Sequence, residues 1–209
     1  MRYASLATLL DVFLGLAAAW IIVRSKIRGR ALLDALVMAP LAVPGLVLAF
    51  GYMAMSQPGE FFSILDPTEN PTVLLVIAYS IRRLPYMVRA LVAGLQQTGV
   101  VFEEAARNLG AGSLRVWRKI TLPLIAANLV AGGILAFCFA MLEVSDSLML
   151  AQKQEYFPIT KAIYELFQLL GEGRYLAAAL GAWSMVFLAV GLLLAGRLLG
   201  KKMGALFRA

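Results

Sequence analysis

The apolar positions of this chain fall into five runs, each long enough to cross a lipid bilayer. A spanning helix needs roughly 20 mostly apolar residues. The runs cover about residues 5–23, 31–55, 71–97, 122–142 and 175–199. The pattern therefore predicts an all-α, polytopic membrane protein with about five transmembrane helices.

Prolines lie inside two of these runs and at the start of another. Pro40 and Pro44, followed by Gly45, predict that the second run is one kinked span, since proline disturbs a helix interior. Pro85 predicts a break in the third helix, which would expose backbone carbonyl groups to a cavity. Pro123 opens the fourth run, where a proline in the first turn is tolerated.

One further segment is amphipathic rather than spanning. Its apolar residues recur at helical spacing after Pro158, and charged or polar residues fall between them. These apolar residues are Ile159, Ile163, Leu166, Phe167 and Leu170. We expect a short helix at the outer membrane surface, although a plain cap over the loop fits the pattern equally well.

The basic residues predict how the chain crosses the membrane. Lysine and arginine are enriched in loops on the cytoplasmic side. The loops at 24–30 and 101–120 are basic, whereas those at 57–70 and 143–174 are not. The C-terminal tail is also basic, through Arg197, Lys201, Lys202 and Arg208. The prediction is a multi-pass protein of the bacterial inner (plasma) membrane, with its N-terminus outside and its C-terminus in the cytoplasm.

Composition narrows the possible functions. The chain is 61% hydrophobic, with a mean hydropathy of +0.82 and a net charge of +7. Because the basic residues flank apolar runs, we expect membrane lipid and no nucleic acid as a partner. There is no histidine and one cysteine, Cys138. Glu103 and Glu104 are adjacent and point different ways on a helix. No catalytic or metal-binding residue is assigned, which disfavours an integral membrane enzyme.

The loop of about residues 101–121 has the pattern of a short helix, a break and a second helix. Glu103 and Glu104 stand in the first turn, where negative charge suits the helix dipole. Gly110 is suited to the left-handed conformation that ends a helix, and Ser113 to capping the next one. From these residues alone, a rigid surface for docking a partner protein and a simple solvated connection are equally supported.

The same loop resembles a known motif. Glu104-Ala105-Ala106, three residues, Gly110, nine residues, Ile120, one residue and Leu122-Pro123 match the EAA loop. This loop marks the permeases of bacterial binding-protein-dependent ABC importers of the type I fold. The layout of helices is similar to that family along essentially the whole chain. The resemblance implies one permease domain over residues 1–209, with its coupling loop at about 101–121.

The resemblance also implies a mechanism. In the family, a coupling helix fits a groove on a separate ABC ATPase, whose ATP-driven closure switches a pair of permease subunits or halves. An external binding protein delivers the solute to the outer mouth. The residues assigned to ATPase coupling are Glu103, Glu104, Ala105, Ala106, Arg107, Gly110, Ile120, Leu122 and Pro123.

Within that set the roles differ. Residues 104–106 and Gly110 would form the docking surface, while Ile120, Leu122 and Pro123 would anchor the loop to the fourth span. Arg107 and Arg115 are assigned to its rim by position alone.

The chain has no phosphate-binding G-x-x-x-x-G-K-[ST] loop. We therefore expect this chain to be a transport subunit that binds no cofactor, with ATP and Mg²⁺ on the partner ATPase.

Arg82, Arg83 and Pro85 form the candidate translocation path. Charges inside a span are costly and usually face a cavity or a partner. One interpretation is a path for an anionic or anion-chelated solute. The other, slightly favoured, is a structural pairing with a carboxylate, and the candidates for it are Asp11, Glu143 and Asp146.

Residues 81–97 also resemble one branch of the family, the permeases for ferric iron, thiamine and 2-aminoethylphosphonate. That branch implies ferric iron or a phosphonate-like or other small organic solute. It also implies that the chain is the C-terminal half of a double-length member or a single-length relative. The rival hypothesis is a secondary transporter driven by an ion gradient, with Asp11, Arg82 and Arg83 as its relay.

Overall fold

The structure is a computed structural model that describes residues 1–169 and 171–206, with side chains described to residue 197. Within these residues it is helical and contains no β-strand. The ten α-helices of the described part are α1 (Arg2–Arg24), α2 (Arg30–Ala42), α3 (Gly45–Met55), α4 (Thr72–Gln97), α5 (Val101–Asn108), α6 (Ser113–Val116), α7 (Leu122–Met141), α8 (Ser145–Leu150), α9 (Ile159–Gln168) and α10 (Gly173–Leu206). A π-helical turn, Trp117–Thr121, joins α6 to α7 without a break.

Three helices are long and apolar enough to cross a membrane: Arg2–Arg24, Ser113–Met141 and Gly173–Arg197. The pair α2 and α3 supplies a fourth apolar stretch, but it is bent by 104° and is therefore a broken span or a re-entrant loop. The described structure thus supports three or four spans by length and composition, against about five predicted. The 26-residue helix α4 is long enough, but arginines interrupt its apolar sequence.

The second run does not form one kinked helix as predicted. It forms two helices, because the chain leaves the helical conformation at Val43 (φ −96°, ψ 130°) and Pro44 (φ −55°, ψ 136°). A residue that precedes proline is pushed into extended conformation, so Pro44 ends α2 and caps α3. Pro40, in contrast, is accommodated inside α2.

The predicted break at Pro85 is wrong, because α4 continues through this buried proline. Proline removes one backbone hydrogen bond, and the packing of α4 between α1 and α7 supports the helix on both sides. Met87, Val88 and Leu91 directly follow and are completely buried.

The core consists of two apolar clusters at opposite ends of α4. One surrounds Leu75 and Ala78, with residues from the first turns of α1 and from α7 and α8. The other surrounds Met87 and Leu91, with residues from the second half of α1 and Ile125 of α7. The middle of α4 therefore lies between two apolar layers.

The segment 143–174, expected as an outer loop, is partly folded into the body. Helix α8 packs against α3 and α4, and Leu150 and Ala151 are fully buried. The amphipathic helix is present as α9, where it packs against α10. Its predicted last residue, Leu170, and the tail residue Arg208 lie outside the described residues, as do the side chains of Lys201 and Lys202.

Candidate coupling and translocation site

Helix α5 ends at a glycine-dependent stop. Gly110 has φ +84°, in the left-handed region that favours glycine. The Gly110 amide donates to the Arg107 carbonyl at 2.9 Å, and the Ala111 amide donates to the Ala106 carbonyl at 3.0 Å. These two bonds form the Schellman motif, which satisfies the last carbonyl groups of a helix. Gly110 thus ends α5 in the conformation that its type suggests.

The next helix begins without the predicted serine cap. Gly112 is the capping residue of α6, and Ser113 is already inside the helix without a side-chain capping bond. Gly112 has φ −65°, a value that any residue adopts, so only Gly110 of this connection requires the freedom of glycine.

The outer surface of α5 is exposed and partly apolar. Glu104 and Ala105 are exposed, while Ala106 is half-buried. Val101, Phe102, Leu109 and Leu114 are also exposed, with Leu109 89% accessible. Several large apolar side chains exposed along one short segment are typical of an interaction site.

Glu103 differs from the rest of the predicted coupling set because it is buried, with 3% exposure. Its Oε1 atom lies 3.1 Å from the Nε atom of Arg24, at the end of α1, and its Oε2 atom lies 3.9 Å from Arg107. Arg24 also donates through Nη2 to the Thr98 carbonyl at 2.8 Å, at the end of α4. Glu103 therefore faces the helical body, whereas Glu104 faces away from it.

Ile120, Leu122 and Pro123 lie where the loop enters α7. Ile120 belongs to the π-helical turn, and Leu122 and Pro123 form the first turn of α7. Proline has no amide hydrogen for its own helix, so a wider turn directly before Pro123 suits this position. Thr121, between them, is buried and fixes this end of the helix against the body.

Arg82 and Arg83, in the middle of α4, converge on one carboxylate. The Oε2 atom of Glu143 accepts a hydrogen bond from Arg83 Nη2 and lies 3.2 Å from Arg82 Nε. Glu143 is 3% exposed, and the two arginine side chains are 19% and 12% exposed. Of the three carboxylates proposed as partners, Glu143 is the one that makes these ion pairs.

Hydrogen bonds hold the Glu143 segment in place. The Ser145 amide donates to Glu143 Oε1 at 3.1 Å. The hydroxyl groups of Ser147 and Thr160 donate to the Glu143 carbonyl at 2.5 and 2.6 Å. Gly45 also packs here, since a Cβ atom at this position would lie 2.5 Å from Arg82 Nη1. The bend between α2 and α3 thus brings backbone directly against the arginine pair.

Comparison with known proteins decides the family. Residues 11–203 match the family described as binding-protein-dependent transport system inner membrane component. The sulfate transport system permease protein CysT of Salmonella typhimurium is 33% identical, over 91% of this chain and 70% of its own. The molybdenum transport system permease protein ModB of Escherichia coli K12 is 32% identical, over 93% and 88%. This chain belongs to the binding-protein-dependent permease family.

Membership confirms that this permease is of the ABC importer class, and that its relatives are transport subunits rather than enzymes. A third relative, ModB of Mycobacterium tuberculosis, is 29% identical over 74% of this chain and 61% of its own. Membership does not favour the secondary transporter, and none of these relatives is named for iron.

The remaining intramembrane carboxylates of this permease are placed differently from Glu143. Asp11 is completely buried and accepts a hydrogen bond from Ser80 at 2.5 Å, so it joins α1 to α4. Asp146 is also completely buried, and neither of its carboxylate oxygens has a hydrogen-bond partner. The structure does not join either residue to the arginines by an ion pair within the described residues.

Sequence reasoning missed Arg24 as part of the coupling region of this permease. It was counted only as a topology signal in a basic loop. The available clue was that Arg24 directly ends an apolar run, although its partner Glu103 is 79 residues away in the chain.

Proposed function

We propose that this chain is the membrane-spanning subunit of an importer for a tetrahedral oxyanion, driven by a separate ABC ATPase that docks on α5. The family supports the subunit role, and the solute class follows relatives that are named for sulfate and molybdenum transport. The complete transporter would also contain a second permease copy or half and an external binding protein. ATP and Mg²⁺ would bind to the ATPase.

The observation that carries the docking proposal is the surface of α5. It is a short helix with a defined stop at Gly110, exposed apolar side chains, and one buried ionic attachment to the helical body. A loop that only joins two spans has no need for such order. Residues 104–106 and Gly110 form the proposed docking face, with Arg107 and Arg115 at its rim.

The proposal includes an orientation in which α5 lies in the cytoplasm. Its support is the excess of basic residues in the loops at 24–30 and 101–120. Cysteines placed at Lys26 and at Phe61, in a Cys138→Ala background, test it. Labelling of intact cells by an impermeant maleimide is expected at position 61 only, and labelling at 26 only would reverse the orientation.

Docking is tested by a bulky residue at Gly110, with Gly29 as a matched control. Both glycines have positive φ, +84° and +100°, and a Cβ atom at either would meet nothing within 4 Å. Gly110→Trp and Gly29→Trp therefore impose similar backbone strain, and neither variant has a clash at Cβ. We expect Gly110→Trp to lose ATPase co-purification and transport, while Gly29→Trp retains both. Equal retention in both variants would overturn the docking role.

The solute is tested by uptake into proteoliposomes that hold the permease, its ATPase and its binding protein. We expect ATP-dependent uptake of labelled sulfate or molybdate, and none of ferric iron. The earlier expectation of ferric iron or a phosphonate-like solute has no support from the relatives' names. Uptake that persists without ATP and collapses with an ionophore would instead indicate a secondary transporter.

The translocation path proposed at Arg82, Arg83 and Pro85 rests on the position of the arginines in the middle of α4, between two apolar clusters. Their pairing with Glu143 equally supports a structural role. Arg83→Gln keeps the ion pair between Arg82 and Glu143, so this variant distinguishes a path role from a structural role. A path role requires that uptake falls while the amount of folded complex stays normal, and unchanged uptake would exclude it.

A further inference from the structure

Helix α5 is joined to the rest of the chain in three ways. Two are covalent: residues 98–100 connect it to α4, and α6 with the π-helical turn, against which α5 also packs, connects it to α7. The third is the ionic contact between Glu103 and Arg24, which leads to α1. If α5 is moved by a partner, these are the routes by which the described helices can follow.

Arg24 joins three helices at one point. It lies in the last turn of α1, donates to the Thr98 carbonyl at the end of α4, and pairs with Glu103 of α5. Thr98 is itself held to α4, since its hydroxyl donates to the Gly94 carbonyl at 3.1 Å. Helices α1 and α4 pack closely along their length. A displacement of Arg24 therefore acts on both helices.

The charges explain why an arginine stands here. The C-terminal ends of α1 and α4 both meet at this point, and a helix C-terminus carries partial negative charge. The Glu103 carboxylate adds a third negative group. The planar guanidinium presents several N–H donors in fixed directions, and here Nε binds Glu103 while Nη2 binds Thr98.

We propose that the Arg24–Glu103 pair is the link that couples the movement of α5 to α1, and that Arg24 is a positioning residue of the transport cycle. The proposal rests on α5 being the docking helix. It separates the two adjacent glutamates by role: Glu104 belongs to the docking face, and Glu103 transmits the movement inward.

The link is tested with the double variant Arg24→Met/Glu103→Met. Replacing a buried ion pair by apolar residues of similar size is often neutral or stabilising, so the variant keeps the packing and removes the electrostatic attachment. Arg28→Met, which removes an exposed charge from the adjacent loop, is the control.

The readout is a distance between two spin labels in one chain, at Phe13 on α1 and Asn108 on α5, in a Cys138→Ala background. Phe13 is 70% exposed, and Asn108 is exposed as well. The assembled permease–ATPase complex is measured without nucleotide and with ATP and Mg²⁺. We expect an unchanged distance in the parent and in Arg28→Met, and a shifted or broadened distance in the double variant.

Two results overturn the link: an ATP-dependent change of the distance in the parent, or no change in the double variant. A failure of the ATPase to co-purify with the parent would instead overturn the docking proposal, so the two failures are distinguishable. If the double variant does not fold, Arg24→Lys replaces it. Lysine keeps the charge but not the fixed fork, so the same shift is expected with smaller amplitude.

A melting series provides an independent check. Arg24→Met leaves Glu103 buried beside two helix C-termini with only the exposed Arg107, 3.9 Å away, as a partner. Glu103→Met leaves Arg24 with the Thr98 carbonyl. We therefore expect the lowest melting temperature for Arg24→Met, with recovery in the double variant. A double variant that melts below Arg24→Met would contradict the proposed charge balance.

Discussion

The permease contains two Arg–Glu centres that are built in opposite ways. In the middle of α4, one carboxylate, Glu143, serves two guanidinium groups, and several arginine N–H groups have no hydrogen-bond partner. At the end of α1, one guanidinium, Arg24, serves one carboxylate and a backbone carbonyl. The first centre has a surplus of donors, whereas the second uses its donors on two different helices.

The difference shows what each centre depends on. The α4 centre depends on its carboxylate, because the loss of Glu143 leaves two positive charges unpaired between apolar clusters. The centre at the end of α1 depends on its arginine, because the loss of Arg24 leaves a buried carboxylate next to two helix C-termini, with the exposed Arg107 at 3.9 Å as its remaining partner. In each case the sensitive residue is the one that is shared.

The largest effect is expected from Glu143→Gln. Breaking a buried ion pair by removing one partner costs about 3–5 kcal/mol, because a buried charge is left unpaired. We expect a strongly lowered melting temperature in detergent and a reduced yield of folded protein.

The control for this prediction is Glu143→Gln/Arg83→Gln, which removes one of the unpaired charges and should recover part of the loss. If Glu143→Gln melts like the parent, the carboxylate is not the shared residue on which this centre depends.

An intermediate effect is expected from Ser80→Ala. Asp11 Oδ1 accepts its hydrogen bond from Ser80, and Oδ2 has no partner in the described structure. Loss of the donor leaves a buried acceptor unsatisfied, at a cost of about 1–3 kcal/mol. Thermal unfolding measures it, with Ser5→Ala as the control, since the Ser5 hydroxyl donates to the Met1 carbonyl in an exposed hydrogen bond. Equal melting temperatures for the two variants would contradict this role of Ser80.

The smallest effect is expected from Glu165→Gln on α9. Glu165 pairs with Lys161 one turn away at 3.1 Å, and its side chain is 44% exposed. Such helix-surface pairs contribute about 0.2–0.5 kcal/mol. Lys161 also keeps its hydrogen bond to the Leu148 carbonyl. A melting temperature more than marginally below the parent's would show that an exposed pair here matters as much as a buried one.

The sequence predicts the helices better than their angles. Long apolar runs identify the helices, because burial and lipid exposure both demand apolar surface. They carry no information about direction, so the 104° bend at residues 43–44 was predicted only as a kink. At Pro85 the error is the opposite one, because a break was predicted where the helix continues. The neighbours that allow α4 to continue through it come from α1 and α7, which are distant in sequence.

In the candidate site, too, features set by local sequence were predicted, whereas features set by the three-dimensional fold were not. Gly110 was predicted to end α5 because left-handed backbone is a local property of glycine, and the structure places it there. Which way Glu103 and Glu104 point depends on where α1 ends in space, which local pattern does not encode. The three candidate partners of Arg82 and Arg83 were identified by charge, and only folding selects Glu143.

The π-helical turn between α6 and α7 has a consequence for how such proteins diverge. A π-helical turn holds one residue more than an α-helical turn. Deleting one residue from Trp117–Thr121 would restore a regular helix. Because the wide turn takes up its extra residue within one turn, the helix on either side would keep nearly the same azimuth around the axis of α7. The π-helical turn thus allows the chain before Pro123 to change in length by one residue while α5 keeps its direction.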